Sequence, residues 1–198
     1  MPGILRYTAV TAIVLMLSGC GTSAPVRYFN LEPIDYGSTS STGQRHIVGL
    51  GPLDLPGYLA RPQIVTRGTN AEIIINDFRR WAEPVDESIH RIVAANVESL
   101  VDDVIVVSYP YHTMAQPEFR VYGDVVQFDA DASGEAVLVV QWGIAAADRT
   151  VVTPPQRARY VARATDPSDT GAVVVALNAV IGEFSRDIAA HIEQAIRD

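Results

Sequence analysis

Apolar residues along this chain follow three different spacings. From Tyr7 to Leu17 they form an unbroken run of apolar and small residues, behind the single positive charge of Arg6. That length suits the hydrophobic segment of a signal peptide and is too short to span a bilayer as a stable anchor. From Val26 onward the pattern breaks into short stretches rich in Ile and Val, punctuated by Pro and Gly. These predict strands at Val26–Leu31, Arg45–Leu53, Gln63–Arg67 and Ala71–Phe78. After Pro84 the spacing changes again: Ile89, Ile92, Val93, Asn96, Val97, Leu100 and Val101 recur three and four apart, with Asp86 and Glu87 where a helix dipole favours negative charge. This predicts an amphipathic helix over about Val85–Asp102.

The second half repeats that order. Val104–Ser108 reads as a short apolar strand, and Phe119–Asp129 and Glu135–Ala147 as longer strands joined through Ala130–Gly134. In Glu135–Ala147 both alternating sets are mostly apolar, which predicts burial on both faces. A further strand is expected over about Gln156–Ala164. A long helix then follows over about Ser168–Arg197, with Val173, Leu177, Val180, Ile181, Phe184 and Ile188 on one stripe. Tyr36–Gln44 has too little apolar content to pack and reads as an exposed loop. The order predicts a single α/β domain, with one mixed β-sheet of about seven or eight strands packed by two long helices in an α/β/α sandwich-like arrangement.

Cysteine changes the picture. Leu17-Ser18-Gly19-Cys20 closes the first apolar run and contains the only cysteine of the 198 residues. A nucleophilic sulfur flanked by small Ser18, Gly19 and Gly21 is open to lipid transfer and to a signal peptidase, which is the pattern of a bacterial lipoprotein signal. The expected organisation is a signal peptide over residues 1–19, a lipidated tether over 20–25 and a folded domain over 26–198, with Cys20 as the lipidation site. No disulfide framework or cysteine metal site can form. All fifteen basic residues are Arg and the net charge is −8, so a nucleic-acid partner is excluded and an anionic membrane is repelled on average. Attachment therefore falls to the acyl chains, each buried CH₂ contributing about 0.8 kcal/mol.

No motif carries catalysis. Gly49–Asp54 lacks the third glycine and the following helix of a dinucleotide loop, and reads as a bent strand. Asp129–Gly134 has the oxygen spacing of half a calcium loop, but Val140 stands where the bidentate carboxylate is needed, so a polar turn is expected. His46, His90, His112 and His191 are scattered, without ligand or triad spacing. Arg157, Arg159 and Arg163 alternate along one strand face and read as a solvated, ion-paired face more readily than as a contact patch. Tyr109–Met114 reads equally as an aromatic contact rim or an ordinary connection. No enzymatic, cofactor or metal site is expected, and no partner-binding residue can be named.

One stretch is more specific. Leu55-Pro56-Gly57-Tyr58-Leu59-Ala60-Arg61-Pro62-Gln63-Ile64-Val65-Thr66-Arg67, then Asp77-Phe78-Arg79-Arg80-Trp81-Ala82-Glu83-Pro84 and the helix from Ile89 to Val97, resembles the ABC-type transport auxiliary lipoprotein family. Arg27–Leu31, Phe119–Val121, the Trp142 strand and the last helix fall in matching order, while Asn30 and the Ser/Thr-rich loop depart from the pattern. The resemblance implies a non-enzymatic, homo-oligomeric lipoprotein of the outer membrane facing the periplasm. Its implied partners are an MCE-domain protein and inner-membrane transporter components that move lipids across the envelope; the alternative is a structural envelope lipoprotein without a role in lipid transport. Arg61 and Arg67 are expected to brace the fold and Trp81 to anchor the entry to the first helix.

Overall fold

Strand β6 organises the sheet. The structure is a computed structural model that describes residues 24–34, 37, 43, 45–111 and 116–197. Its strands are β1 (Arg27–Phe29), β2 (His46–Asp54), β3 (Gln63–Arg67), β4 (Ile73–Trp81), β5 (Val104–Ser108), β6 (Phe119–Asp131), β7 (Glu135–Ala146) and β8 (Val151–Arg163). Helix α1 spans Val85–Leu100 and α2 Thr170–Arg197. Along one edge β6 pairs antiparallel with β7, which pairs with β8. Along its other edge, the first half of β6 pairs parallel with β2 and its last two residues pair parallel with β3. The sheet therefore forks at β6: β5 extends the β2 arm, and β4 with β1 extends the β3 arm.

Both helices lie on one face of this mixed eight-stranded sheet and touch each other, the buried Asn96 Nδ2 donating to Ser185 Oγ at 3.2 Å. The layering is thus one sheet and one pair of helices, the single α/β domain with a mixed sheet packed by two long helices that the sequence predicts, with both helices on the same side. The opposite face explains why: Asp124, Gln141 and Arg157 stand in register across β6, β7 and β8, exposed and too polar to bury under a helix. Val137 and Val139 on that face are nonetheless only 6% exposed. Their register neighbours Gln127, Asp129, Arg159 and Val161 flank them, so β7 is buried on both faces as its sequence predicted, without a second helical layer.

Between the layers, Trp142 meets Phe184 edge to face at 5.6 Å. Gly123 faces Trp142 across the ladder, and a Cβ there would lie 2.2 Å from the Gln141 carbonyl oxygen, so only glycine permits this approach. An extra residue at the half-exposed Val126 keeps Val125 and Phe128 both pointing into the core.

Several boundaries move for local reasons. β4 continues three residues past its expected end because β1 pairs with Arg79, Arg80 and Trp81. β8 begins earlier than expected, at Val151. Its Pro154 and Pro155 are tolerated because β8 is an edge strand whose register shifts at that point. Helix α1 stops at Leu100, where Val101 is extended and Asp103 has φ 55°. Gly49–Asp54 is strand, with the irregularity between Leu50 and Leu53 that its glycines suggested. Beyond β1 the chain crosses the helices: Leu31 is fully buried, the Glu32 amide donates to Asn178 Oδ1 at 3.2 Å and the Ile34 amide to Asn96 Oδ1 at 2.9 Å. The signal segment 1–19, Cys20 and His112–Met114 lie outside the described residues. Among those described, no helix is long and apolar enough to cross a membrane.

Candidate functional site

The Leu55–Arg67 segment folds around a buried carboxylate. Pro56 leads into a single 3₁₀ turn, Gly57–Leu59, which buries Leu59 and turns Tyr58 toward β6. There Asp129, 1% exposed, accepts hydrogen bonds from the Tyr58 hydroxyl at 2.9 Å, from Arg67 Nη2 at 2.7 Å and Nε at 3.3 Å, and from Gln127 Nε2 at 2.7 Å. Such a charge is tolerable in a sheet interior only when it is saturated with donors in this way. Burial, then the Asp129 charge, pushes the Tyr58 phenol up to about 12. The hydrogen bond to Asp129 raises Arg67. Arg61 Nε donates to the Tyr58 carbonyl at 2.8 Å, so both arginines brace this turn as expected.

The second motif segment closes against the first. The Trp81 amide donates to the Pro62 carbonyl at 2.7 Å and the Ala82 amide to Phe29 at 2.8 Å, joining β1, β3 and β4 at one corner. Trp81 is 6% exposed and packs at the entry to α1. Pro84, at the start of α1, offers no capping side chain, and Glu83 before it ties the chain to the helix through side chains. Its carboxylate accepts from Ser88 Oγ at 2.5 Å and from Arg91 Nη2, and the Ser88 bond, then Arg91, holds it below the usual carboxylate range.

Together these segments wall a hollow of about 580 Å³, lined among others by Tyr28, Leu59, Arg61, Arg80, Trp81 and Pro84. Its lining is mostly apolar, and Arg61 and Arg80 share it with the carboxylates of Glu83 and Asp86.

The remaining candidates are placed separately. Asp131 Oδ1 accepts from the Ser133 amide and hydroxyl and from the Glu135 amide, building the polar turn in place of half a calcium loop, while Asp129 points to Tyr58 and Arg67. Glu135 pairs with both Arg159 and Arg163, at 2.9 and 3.7 Å. His90 and His191 hydrogen-bond carbonyls one turn earlier in their own helices, and His46 pairs with Glu118 at 2.9 Å. Tyr109 stacks edge to face on Tyr111, whose hydroxyl donates to the Gly51 carbonyl at 3.1 Å. Among the described residues no three His, Cys, Asp or Glu side chains are grouped to hold a metal ion. Asp129, Tyr58 and Glu83 carry the site, and sequence reasoning passed over their roles: Asp129 was taken with the turn it precedes, although its place in the β6 alternation sets it on the sheet face.

A two-layer domain whose polar groups brace a hollow at one corner is the class defined by this fold and site. The model of the ABC-type transport auxiliary lipoprotein component matches residues 29–189, and the chain belongs to that family. It is 26% identical to the intermembrane transport lipoprotein PqiC of Escherichia coli K12 over 141 residues, covering 70% of this chain and 73% of that protein. Two crystal structures share the fold. An uncharacterized protein has a TM-score of 0.72 at 17% identity, covering 85% of this chain and 99% of its own. A Xanthomonas campestris protein has a TM-score of 0.64 at 16% identity, covering 87% and 100%.

Proposed function

We propose that this protein is a non-enzymatic accessory lipoprotein, cleaved before Cys20 and held there by acyl chains in the outer membrane with its domain facing the periplasm. In this reading it forms homo-oligomers and serves an MCE-domain protein and an inner-membrane transporter that move lipid across the envelope. The observation that carries it is the family match across residues 29–189, which includes the residues lining the Trp81 hollow other than Tyr28. The likeness to PqiC supports the intermembrane direction of the work. Gly21, in place of an Asp after Cys20, supports delivery to the outer membrane.

The test has two arms. Cys20→Ala is expected to move the protein from the membrane fraction to the soluble periplasm, and a variant that stays fully membrane-bound refutes the anchor. The lipidated protein is expected to co-purify with the MCE-domain protein, and its absence from that complex refutes the partnership. Deletion that disturbs the envelope while lipid exchange proceeds unchanged would favour a purely structural lipoprotein.

A further inference from the structure

The acidic balance of the chain is not evenly spread. At the β1 edge of the sheet, β1 and the end of β4 place Arg27 beside Arg79 and Tyr28 beside Arg80, and Arg61 shares the hollow with Tyr28 and Arg80. None of these four arginines makes an ion pair with a described carboxylate, in contrast to Arg67, Arg91, Arg159, Arg163, Arg186 and Arg197. Their hydrogen bonds are to neutral groups: Arg61 to Tyr58 O, Arg79 to Thr170 Oγ1 and Arg80 to Asp77 O. Arg27 lies over the Phe29 ring at 5.3 Å. Tyr28, 64% exposed, Phe78, 40% exposed, and Arg80 lie on one face of this edge, and Arg27 and Arg79 on the other. Asp77 is the one carboxylate within β4, and it accepts from Gln63 Nε2 at 3.1 Å.

This patch is also where the chain leaves for its anchor. Six residues lie between Cys20 and Arg27, seven Cα–Cα steps or at most about 25 Å of extended backbone. No other part of the domain is held so near the membrane. Cationic heads on apolar stems, set among aromatic rings, are what a headgroup layer accommodates, and juxtamembrane arginines are drawn to anionic lipid within a Debye length.

We propose that the β1 edge, through Arg27, Tyr28, Arg61, Phe78, Arg79 and Arg80, docks on the anionic phospholipid headgroups of the membrane that holds Cys20. The acyl chains keep the protein at the membrane and this patch sets which way up the domain stands. The proposal rests on the lipid-anchor reading above.

Hydrogen exchange of the lipidated full chain separates the two. The protein is placed in vesicles of phosphatidylglycerol and phosphatidylcholine in equal parts, or of phosphatidylcholine alone. Amides of β1 and of Ile73–Phe78 are expected to exchange several-fold more slowly in the anionic vesicles, the protection fading as NaCl is raised. Arg27→Gln should cut the protection about five-fold and Arg27→Gln/Arg80→Gln should abolish it, while both still float with the vesicles. Identical exchange in the two vesicles, or protection confined to another face, overturns the docking. Slowing that follows protein density in phosphatidylcholine alone also overturns it, by assigning the edge to a second copy of the chain. A protein that floats with neither vesicle refutes the anchor instead.

Discussion

Asp129 is the residue with most to lose. Its carboxylate is 1% exposed and holds Tyr58, Arg67 and Gln127 at once, so Asp129→Ala should cost about 2–4 kcal/mol in urea unfolding. The lower part of that range applies if Arg67, 32% exposed, recovers water. Tyr58→Phe removes one neutral donor and should cost about 1 kcal/mol. The phenol also gives a pH signature. Its folded value, about 12, lies above the ordinary 10.0, so its contribution is fully present below pH 10 and is lost as pH rises through 12. Tyr160, raised by burial and by Asp187, loses stability on the same alkaline side, so the measurement is the difference between the wild-type and Tyr58→Phe unfolding curves. That difference should shrink above pH 10, and a gap that holds constant refutes the assignment.

At the scale of elements, α1 is tied at its start by a carboxylate outside it, which holds the Ser88 and Arg91 side chains. Glu83 is held below its ordinary 4.5, so its contribution is present above that pH and lost as pH falls through the lower folded value. Glu83→Gln should cost up to about 1 kcal/mol at neutral pH, discounted for exposure, and little in acid. Gly123→Ala forces a methyl into the Gln141 carbonyl and should destabilise by about 1–3 kcal/mol, read as a lower melting temperature. Periodicity exposed most elements because it reports which faces are wet: the three-and-four spacing of Ile89 to Val101 marks one dry face and the two apolar sets of β7 mark two, without tertiary knowledge. It missed Val151–Pro155, where consecutive prolines argue against a strand unless its edge is open, and Arg79–Trp81, which are strand only because three residues of β1 reach them. Asp129 was hidden for a similar reason, since its partners Tyr58 and Arg67 lie over sixty residues away in sequence.

At the scale of the molecule, the polar open face of the sheet decides the layering, and sequence alternation does not report which side of a sheet each helix takes. The anchor prediction belongs here too: Cys20→Ala should change where the protein is found and leave its melting temperature unaltered, checked by fractionation and by thermal unfolding of the purified domain. If the chain is anchored at Cys20 as proposed, a pull on that anchor is borne by β1 and by the way Leu31 is seated. A pull from Cys20 runs along β1, so the bonds to β4 are loaded sideways and together instead of being peeled one at a time. The next resistance is Leu31 withdrawn from between the helices, with the Glu32 and Ile34 amides still tied to Asn178 and Asn96. The first structured residues thus act as a mechanical stop, and the rate at which the domain yields to force is set by that plug, independently of the equilibrium stability of the sheet.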